Sequence, residues 1–443
     1  MAVDHFVEEY SKARPRSAAL HERAEKVFAA DGATHFVRIL DPFRPYITHA
    51  KGSKKWDVDG HEYIDYVMGH GALLQGHSHP SIVKAVQEQV AKGVHYGDNH
   101  ELEVEWAELI QRLMPSAERV EFFSSGQEAN LMAIRLSRIF TGRKKILRFV
   151  ENFHGWADEV VLPPSSPGTS NPEVTIIPFD LKRVEEELAT GEFAILMTEG
   201  GGAHMTGQVP LDFDFVRALP ALAHKYGTVW HLDEVVTGFR DAVGGFQGMV
   251  GVKPDLTSLG KVIAGGLGAG ALIGRADILE ALNSRTPVER RVLHSGTWNG
   301  NPLTSAAGVA SMKNCQGGES QKRANEMAAY LRKKGNRVFR EKGISAWLYG
   351  RSITHFYLGP IELQPSSEVL PPTRDLAKMM GMSSQKLRLS HHLLHRGVST
   401  LQGRLFILSS VHTEEDIDNT IAALEASLEA MISEGSLEGL WGI

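Results

Sequence analysis

The sequence predicts an α/β protein of two domains, the larger of them built on a mainly parallel sheet. Three observations support this prediction. At 443 residues, the chain exceeds the size at which a single hydrophobic core keeps growing. Short apolar runs alternate with amphipathic stretches through the middle of the chain, as expected for buried parallel strands joined by helices. The chain also contains 44 glycines, which suit many tight turns between strands and helices.

The large domain is predicted to span residues 51–316. Its helices are predicted where apolar residues recur at helical spacing and a glycine closes the pattern, at His79–Gly93, Ser124–Gly142 and Asp214–Gly227. Its buried strands are predicted at the apolar runs Lys145–Val150, Phe193–Glu199, Thr228–Val235 and Ala269–Arg275.

The remainder of the chain has a different pattern. From residue 317 onward, long charged helical patterns alternate with the strand-like runs SITHFYL and RLFILSS, and Thr413 starts a final capped helix. Residues 317–443 are therefore predicted to form a small α+β domain, which residues 1–50 join as an N-terminal segment. Loops are predicted at Ser166–Glu173 and Leu363–Asp375.

The composition excludes several classes of protein. Hydrophobic residues make up 42% of the chain and charged residues 23%, as in ordinary folded proteins. The net charge of −6 argues against a nucleic-acid or acidic-membrane partner. The single cysteine, Cys315, excludes an intrachain disulfide and a cysteine-based zinc cluster. Neither a spanning apolar run nor the apolar segment of a secretory signal is present, so a cytoplasmic location is expected.

One lysine, Lys261, stands in a run of glycines and small apolar residues. The residues from Val262 to Gly274 carry no charge. Such surroundings predict a partly dry position, in which an amine loses its charge more readily and can act as a nucleophile. The alternative is a loop lysine beside a glycine-rich turn.

Two segments upstream of this lysine carry groups that suit a ligand site. Asp233 ends an apolar run, and an acid at the end of a parallel strand points into the crevice where such sheets bind ligands. An N-capping aspartate is the alternative. Ser125 and Gly126 lead into a predicted helix, whose first N–H groups and positive dipole end can hold a phosphate. An ordinary capped helix start is the alternative there.

Two further segments complete the set. Phe153 and His154 follow a strand, where aromatic side chains can cover the face of a flat ring; a core aromatic cluster is the alternative. Thr297 lies in a polar, glycine-rich loop that can close a phosphate site; a plain turn is the alternative. A lysine amine, an acid for the ring nitrogen, a phosphate-binding helix start and a flanking aromatic together are what pyridoxal 5'-phosphate (PLP) requires.

The order of these motifs resembles the class III aminotransferases, which are PLP-dependent transferases of fold type I. The resemblance runs from about Thr34 to about Leu424, and the motifs that carry it are WDVDGHEYIDY, GHSHP, SSGQEA, FHGW, HLDEVVTGFR, SLGKVIAGGLGAGALIGR, SGTWNGNP and SSVHTEEDID. Within the class, the chain is most similar to the glutamate-1-semialdehyde aminomutase-like branch, nearest its D-phenylglycine and β-amino-acid aminotransferases.

The resemblance implies a role for particular residues. Lys261 would bind PLP and move the proton, and Asp233 would be the partner of the ring nitrogen. The family is homodimeric with its active site at the subunit interface, so Thr297 would reach the phosphate of the other subunit. The other cofactor contacts implied are Ser125, Gly126, Gln127, Phe153, His154, Glu199 and Val235. The chain departs from the family pattern at Gln127, where the usual residue is threonine, and after Glu199, where the usual proline is missing.

The activity implied is the ping-pong transfer of an amino group from a small-molecule amino donor to a 2-oxo acid. D-, aromatic and β-amino acids are candidate donors, and glutamate-1-semialdehyde 2,1-aminomutase is the alternative. Arg404 stands about where the aminomutase has a glutamate, and Ala33–Leu40 replaces its entry segment, which favours the aminotransferase. Candidate substrate contacts are Arg38, Arg44 and Arg404 for a carboxylate, and His70, His35 and Trp298 for the side-chain pocket.

Two other classes of protein remain as rivals. One is a PLP-binding protein without turnover, which the intact pair of Lys261 and Asp233 disfavours. The other is a nucleotide-binding α/β protein that uses the helix start at Gly126. That rival is disfavoured because the chain has no G-x-x-x-x-G-K-[ST] motif and no convincing G-x-G-x-x-G after a strand.

Overall fold

The computed structural model describes residues 5–150, 152–161, 167–201, 210–375, 378–379, 381, 383–438 and 440. The chain divides into two compact units: unit 1 comprises Met1–His70, Gly76–His79 and Ala324–Ile443, and unit 2 comprises Gly71–Gln75 and Pro80–Arg323. The domain boundaries expected after residues 50 and 316 stay a prediction. The first residue of the loop predicted at 166–173 lies outside the described residues.

The elements are numbered in chain order. The strands are β1 (Ile47–Lys51), β2 (Lys54–Asp57), β3 (Glu62–Asp65), β4 (Arg119–Phe123), β5 (Lys145–Phe149), β6 (Val174–Ile177), β7 (Phe193–Glu199), β8 (Val229–Glu234), β9 (Leu256–Gly260), β10 (Gly270–Gly274), β11 (Ala346–Gly350), β12 (Ile353–Leu358), β13 (Val398–Ser399) and β14 (Leu405–Ile407). The helices are α1 (His5–Lys12), α2 (Pro15–Glu25), α3 (Pro80–Val90), α4 (Glu101–Leu113), α5 (Gly126–Thr141), α6 (Leu181–Leu188), α7 (Phe213–Lys225), α8 (Gly245–Val250), α9 (Ala276–Leu279), α10 (Pro302–Cys315), α11 (Glu319–Lys342), α12 (Ser383–His395) and α13 (Glu414–Ser433).

Unit 2 is built on a seven-stranded sheet with the order β4-β10-β9-β8-β7-β5-β6. Neighbours from β9 to β6 run parallel, whereas β10 is antiparallel to both β9 and β4. Alternate residues of β7 enter different cores: Ile195 packs with Ala133 of α5, and Leu196 packs with Leu219 of α7. Helices therefore cover both faces of the sheet, and the predicted α/β class is confirmed.

Unit 1 contains two smaller sheets, with the orders β1-β2-β3-β13 and β11-β12-β14. Strands near both ends of the chain share one sheet, because β13 pairs in parallel with β3. The unit's main core joins Leu331 of α11, Leu348 of β11, Phe356 of β12 and Leu424 of α13. None of the helices in the described ranges combines the length and the apolar character that crossing a lipid bilayer requires.

The sheet of unit 2 brings three predicted site residues to one edge. Glu199 and Asp233 are paired across β7 and β8, at the carboxyl ends of these parallel strands. Lys261 follows β9 directly, and β9 is the other neighbour of β8. Ligands of open α/β sheets bind outside the carboxyl ends of the strands, so this edge is where a site is expected.

Candidate active site

The backbone of Lys261 has an uncommon conformation. Its φ is +50°, in the left-handed region that residues other than glycine rarely adopt. The turn that it begins is held from outside, because Trp106 donates to the Ile263 carbonyl at 3.0 Å and Ser311 to the Val262 carbonyl at 2.7 Å. Strained residues of this kind occur where the surrounding structure fixes a functional group in place.

The Lys261 amine lies among ionisable groups. Part of the residue is accessible to solvent, yet enough protein surrounds the amine for burial to lower its pKa, which Asp233 and Glu199 offset only in part. The charge of Arg240 lowers this pKa further. Within the described residues, no group accepts a hydrogen bond from Nζ. The amine is thus closer to its neutral, nucleophilic form than an exposed lysine is.

Asp233 is a buried carboxylate held by three donors. Oδ2 accepts hydrogen bonds from Asn130 Nδ2 at 2.7 Å and His154 Nδ1 at 2.8 Å, and Oδ1 accepts one from the Val235 N–H at 2.9 Å. Burial by itself would raise the pKa of Asp233, but the hydrogen bond and charge of His154 outweigh it and the pKa is lowered. Asp233 is therefore ionised, and one of its roughly four acceptor positions remains open.

Glu199 is the second acid at this edge of the sheet. Its Oε2 accepts the Phe153 N–H at 3.0 Å, and its own N–H donates to Asn152 Oδ1 at 2.8 Å. Burial raises the pKa of Glu199 well above its ordinary value, and the nearby negative charge of Asp233 adds to the effect. Glu199 therefore keeps its proton to a higher pH than an exposed glutamate does, and Asp233 is the more readily ionised member of the pair.

The start of α5 carries a complete cap and two free donors. Ser125 Oγ accepts from the Glu128 N–H at 3.3 Å, while Glu128 Oε2 accepts from the N–H groups of Ser124 and Ser125. The next two N–H groups, of Gly126 and Gln127, make no hydrogen bond within the described residues. These are the exposed donors at a helix N-terminus that bind phosphate groups.

The segment after β5 lies against this helix start. Gln127 Oε1 accepts the Trp156 N–H at 2.6 Å, so the side-chain donors of Gln127 remain for another acceptor. A Cβ on Gly155 would lie 2.5 Å from the same Oε1, which explains the glycine there. Phe153 is half-buried beside the fully buried His154. The predicted phosphate and ring-stacking residues thus lie in neighbouring segments of unit 2.

Sequence analysis did not identify three buried residues that support this site. Asn130 contacts Asp233, and Arg240 donates to the Gly71 carbonyl at 2.6 Å. Glu234 accepts hydrogen bonds from the N–H groups of Phe246 and Gln247 at 2.5 and 3.0 Å. These bonds attach the end of β8, which carries Asp233, to α8. The motif HLDEVVTGFR contains Glu234 and Arg240, and Asn130 directly follows SSGQEA, but a linear motif does not show which of its residues face the site.

The candidate substrate residues other than Trp298 lie in unit 1. A cavity of 470 Å³ is lined by Arg38, Arg44 and His70, together with apolar residues such as Val37 and Leu40. Arg44 donates to the Thr400 carbonyl at 3.0 Å, and its buried Nε has no partner among the described residues. The rings of His35 and His70 are stacked at 5.2 Å. Arg404 is half-buried and donates to Gln402 Oε1 at 2.6 Å.

Thr297 and its neighbours form an exposed part of unit 2. Thr297 itself is exposed, and its carbonyl accepts a hydrogen bond from His95. Trp298 is 61% exposed and packs edge-on against the His95 ring at 5.3 Å, and Leu293, five residues earlier in the chain, is 81% exposed. Large apolar side chains exposed together are typical of a surface that another chain covers.

Comparison with known proteins places these features in a family. The model of the class III aminotransferases matches residues 39–344. A glutamate-1-semialdehyde 2,1-aminomutase of Sulfurisphaera tokodaii is 33% identical over 92% of this chain and 98% of its own length. The chain belongs to the class III aminotransferases.

Solved structures support the assignment of this chain to the class III aminotransferases. A β-phenylalanine aminotransferase from Variovorax paradoxus superposes with a TM-score of 0.87, at 29% identity and with 97% of each chain covered. A transaminase with PLP bound superposes with a TM-score of 0.84, at 26% identity, over 96% of this chain and 99% of its own. The fold-type I architecture and the PLP dependence expected from the sequence are confirmed.

The residues of this class III site fit PLP. A free amine, an ionised carboxylate with an open acceptor position, and two free N–H groups at a helix start match the aldehyde, ring nitrogen and phosphate of the cofactor. A glycine is also required at the start of α5, because a Cβ on Gly126 would lie 2.4 Å from Val235 Cγ2.

Gly126→Ala is expected to raise the dissociation constant of PLP about tenfold or more. The new Cβ overlaps both Cγ atoms of Val235, and overpacking of this kind costs about 1–3 kcal/mol. Titration of the apoprotein with PLP measures the effect. Adding Val235→Ala removes the overlapping atoms and should restore affinity to within about threefold of Val235→Ala alone. A double variant that binds no better than Gly126→Ala would disprove this explanation.

Proposed function

We propose that this chain moves an amino group between carbon atoms at a PLP molecule held by Lys261. When bound, PLP supplies an electron sink for the bond that breaks at the amino-bearing carbon of the substrate. The observation that carries the proposal is the meeting of Lys261, Asp233 and Glu199 at one edge of the sheet, beside the free N–H groups of Gly126 and Gln127.

Lys261 is the proposed acid–base catalyst. Because burial lowers its pKa, Nζ is more readily deprotonated than an exposed amine, and it is proposed to take a proton from the substrate carbon and return it to a different carbon. The left-handed backbone of the residue fixes the point from which the side chain extends. One amine thereby serves both carbons without leaving the site.

Asp233 and Glu199 are proposed to have different electrostatic roles. Ionised Asp233 holds a proton on the pyridine nitrogen, which stabilises the negative charge that develops during proton transfer. Glu199, whose pKa is raised by burial, contributes less negative charge than an exposed glutamate, and its Oε2 accepts a hydrogen bond from the Phe153 N–H. Phe153 is then placed to cover one face of the ring.

Two substrate classes remain for this chemistry. Curated relatives 32% to 35% identical are named glutamate-1-semialdehyde 2,1-aminomutases, and they favour the aminomutase over the intermolecular transfer predicted first from the sequence. The aminotransferase is supported by the resemblance, which puts Arg404 about where the aminomutase has a glutamate, and by the β-phenylalanine aminotransferase among the solved structures. Arg38, Arg44 and Arg404 are proposed to bind the carboxylate of either substrate.

The need for an external oxo acid distinguishes the two functions. An aminomutase should convert glutamate-1-semialdehyde with no added acceptor. An aminotransferase should need pyruvate or 2-oxoglutarate to turn over more than once with α-, β- or D-amino donors. Steady-state assays of the holoenzyme with and without acceptor measure this. A folded protein that binds PLP but converts neither class of substrate would contradict the proposed function.

A homodimer is proposed, in which Thr297 of one subunit serves the site of the other. The exposure of Thr297, Trp298 and Leu293 supports this arrangement, since an exposed hydroxyl can reach a phosphate of a second chain. The expected cytoplasmic location and the absence of nucleic-acid and membrane partners stay predictions.

Mixed dimers are expected to recover activity that neither parent has. In a dimer of Lys261→Ala with Thr297→Trp, the site that keeps Lys261 receives Thr297 from the other subunit. About a quarter of wild-type turnover is then expected when equal amounts are co-expressed, because half of the dimers are mixed and each has one intact site. Co-expression of differently tagged chains and purification through both tags isolates the mixed dimer, for which about half of wild-type turnover is expected. Inactive mixed dimers would show that Thr297 acts within its own subunit.

A further inference from the structure

We infer that Asn130 is a positioning residue for PLP chemistry, because it holds the Asp233 carboxylate against the segment that carries Phe153. The inference rests on the proposed role of Asp233 toward the ring nitrogen. Asn130 lies one helical turn beyond Gly126, on the buried side of α5, with 1% of its surface exposed. An amide at such a position costs stability unless partners satisfy it.

Both donors of the Asn130 amide are used at this site. Nδ2 donates to Asp233 Oδ2 at 2.7 Å and to the His154 carbonyl at 2.8 Å. Because both partners are acceptors, the NH2 group must face them and the oxygen must face away. That oxygen, Oδ1, is buried and has no partner among the described residues. These two hydrogen bonds thus fix the orientation of the Asn130 amide group.

The two bonds join three parts of the site. Through α5, Asn130 is continuous with the free N–H groups proposed to hold the phosphate. Through the His154 carbonyl it fixes the backbone between Phe153 and Gly155. Through Asp233 it fixes the carboxylate proposed to meet the ring nitrogen. A single side chain therefore links the helix start proposed to bind the phosphate to the carboxylate proposed to bind the ring nitrogen.

Asn130 and His154 are not equivalent donors to Asp233. Both donate to Oδ2, but an imidazole can gain or lose a proton, whereas an amide donates at every pH. His154 Nε2 is buried without a partner among the described residues, so nothing there fixes the ring from its other side. Of the two side-chain donors to Oδ2, Asn130 is the one whose donor groups are fixed, and together with the Val235 N–H on Oδ1 it keeps Asp233 in one orientation.

The test compares PLP with an analogue that has carbon in place of the ring nitrogen. The apo form of the full chain is titrated with each, and the ratio of the two affinities measures the interaction of Asp233 with the nitrogen. Asn130→Leu, which keeps the shape without the donors, should reduce the preference for PLP about tenfold. The holoenzyme should lose about tenfold in kcat, with KM within about threefold.

A matched control separates positioning from stability. Asn336 in unit 1 is also fully buried. Its Nδ2 donates to the Leu348 carbonyl at 3.0 Å, and its Oδ1 accepts from the Leu348 N–H at 2.6 Å. Asn336→Leu should leave the preference for PLP unchanged, whatever its effect on the melting temperature. Asn130→Asp is the second variant if Asn130→Leu does not fold, and the same fall in preference is expected, because an oxygen then faces Asp233.

The outcomes distinguish the inference from the proposed function. If Asn130→Leu and Asn130→Asp weaken both ligands equally, so that the preference does not change, Asn130 is only structural and the inference is overturned. If Asp233→Asn itself leaves the preference unchanged, the proposed role of Asp233 fails and the inference fails with it. If Asp233→Asn reduces the preference and the Asn130 variants reduce it in part, the inference stands.

Discussion

Lys261→Ala is expected to lower turnover by about 10⁴-fold or more and to abolish the visible absorbance of the bound cofactor. The variant loses the amine proposed both to hold PLP and to move the proton, and proton transfer by a positioned side chain alone contributes about 10²–10⁴-fold. Steady-state kinetics and an absorption spectrum of the purified protein measure the two losses. Added methylamine should restore part of the turnover, since a free amine can move the same proton.

A second buried lysine provides the control for this variant. Lys386 in α12 is 2% exposed, burial lowers its pKa to about 8, and its amine donates to the Met379 carbonyl at 3.0 Å. Lys386→Ala should keep the cofactor absorbance and most of the turnover of the folded protein. Full turnover by Lys261→Ala would contradict the proposed mechanism.

Asp233→Asn is expected to lower kcat by about 10²–10³-fold while the protein still binds PLP. The amide has the size of the carboxylate but no negative charge, so the ring nitrogen loses its proton and the developing charge loses its stabilisation. Rates with the wild type and the variant at several pH values measure the loss. The decrease should be in kcat more than in KM, because the interaction strengthens as charge develops.

Asp255 is the matched control for this change. It is 3% exposed, lies in the same unit, and accepts hydrogen bonds from the Trp230 N–H at 2.8 Å and Arg275 Nη1 at 2.8 Å. Asp255→Asn should reduce stability, since a charged hydrogen bond contributes about 1.5–3 kcal/mol, with little change in kcat of the folded protein. Equal losses of kcat in both variants would indicate that Asp233 acts through stability alone.

Local patterns were sufficient to predict the central part of the fold. The helix predicted at Ser124–Gly142 is observed at Gly126–Thr141, with Ser125 as its N-cap and Gly142 in the left-handed conformation after its end. The strand predicted at Phe193–Glu199 is observed with those bounds. Strong apolar runs, caps and closing glycines act over a few residues, so they can be recognised in one sequence.

Such local patterns could not predict which strands pair when they are far apart in the sequence. The sheet that joins β3 to β13 brings together residues 64 and 398, and the strands are too short for periodicity to indicate their partners. The sequence predicted a small domain from residue 317 with a joined N-terminal segment, but it did not indicate the strands β1, β2 and β3. Their register depends on contacts between the two ends of the chain, which no local signal specifies.

The site residues could be predicted where PLP chemistry requires a particular type of residue. Lys261 and Asp233 were identified because an isolated lysine and a strand-end acid suit PLP, and the structure brings them to one edge of the sheet. Asn130 was missed because its partner Asp233 is 103 residues away, and a buried asparagine in a helix has no signature of its own. The side that Asn130 faces depends on how α5 packs on the sheet.

The central claim is that the ε-amine of Lys261 holds the cofactor, and chemical trapping tests it most directly. The resting protein with PLP is reduced with borohydride and digested, and the peptides are analysed by mass spectrometry. A pyridoxyl group on the peptide that contains Lys261 is the predicted result. A pyridoxyl group on another lysine, or no modified peptide from active protein, would contradict the account.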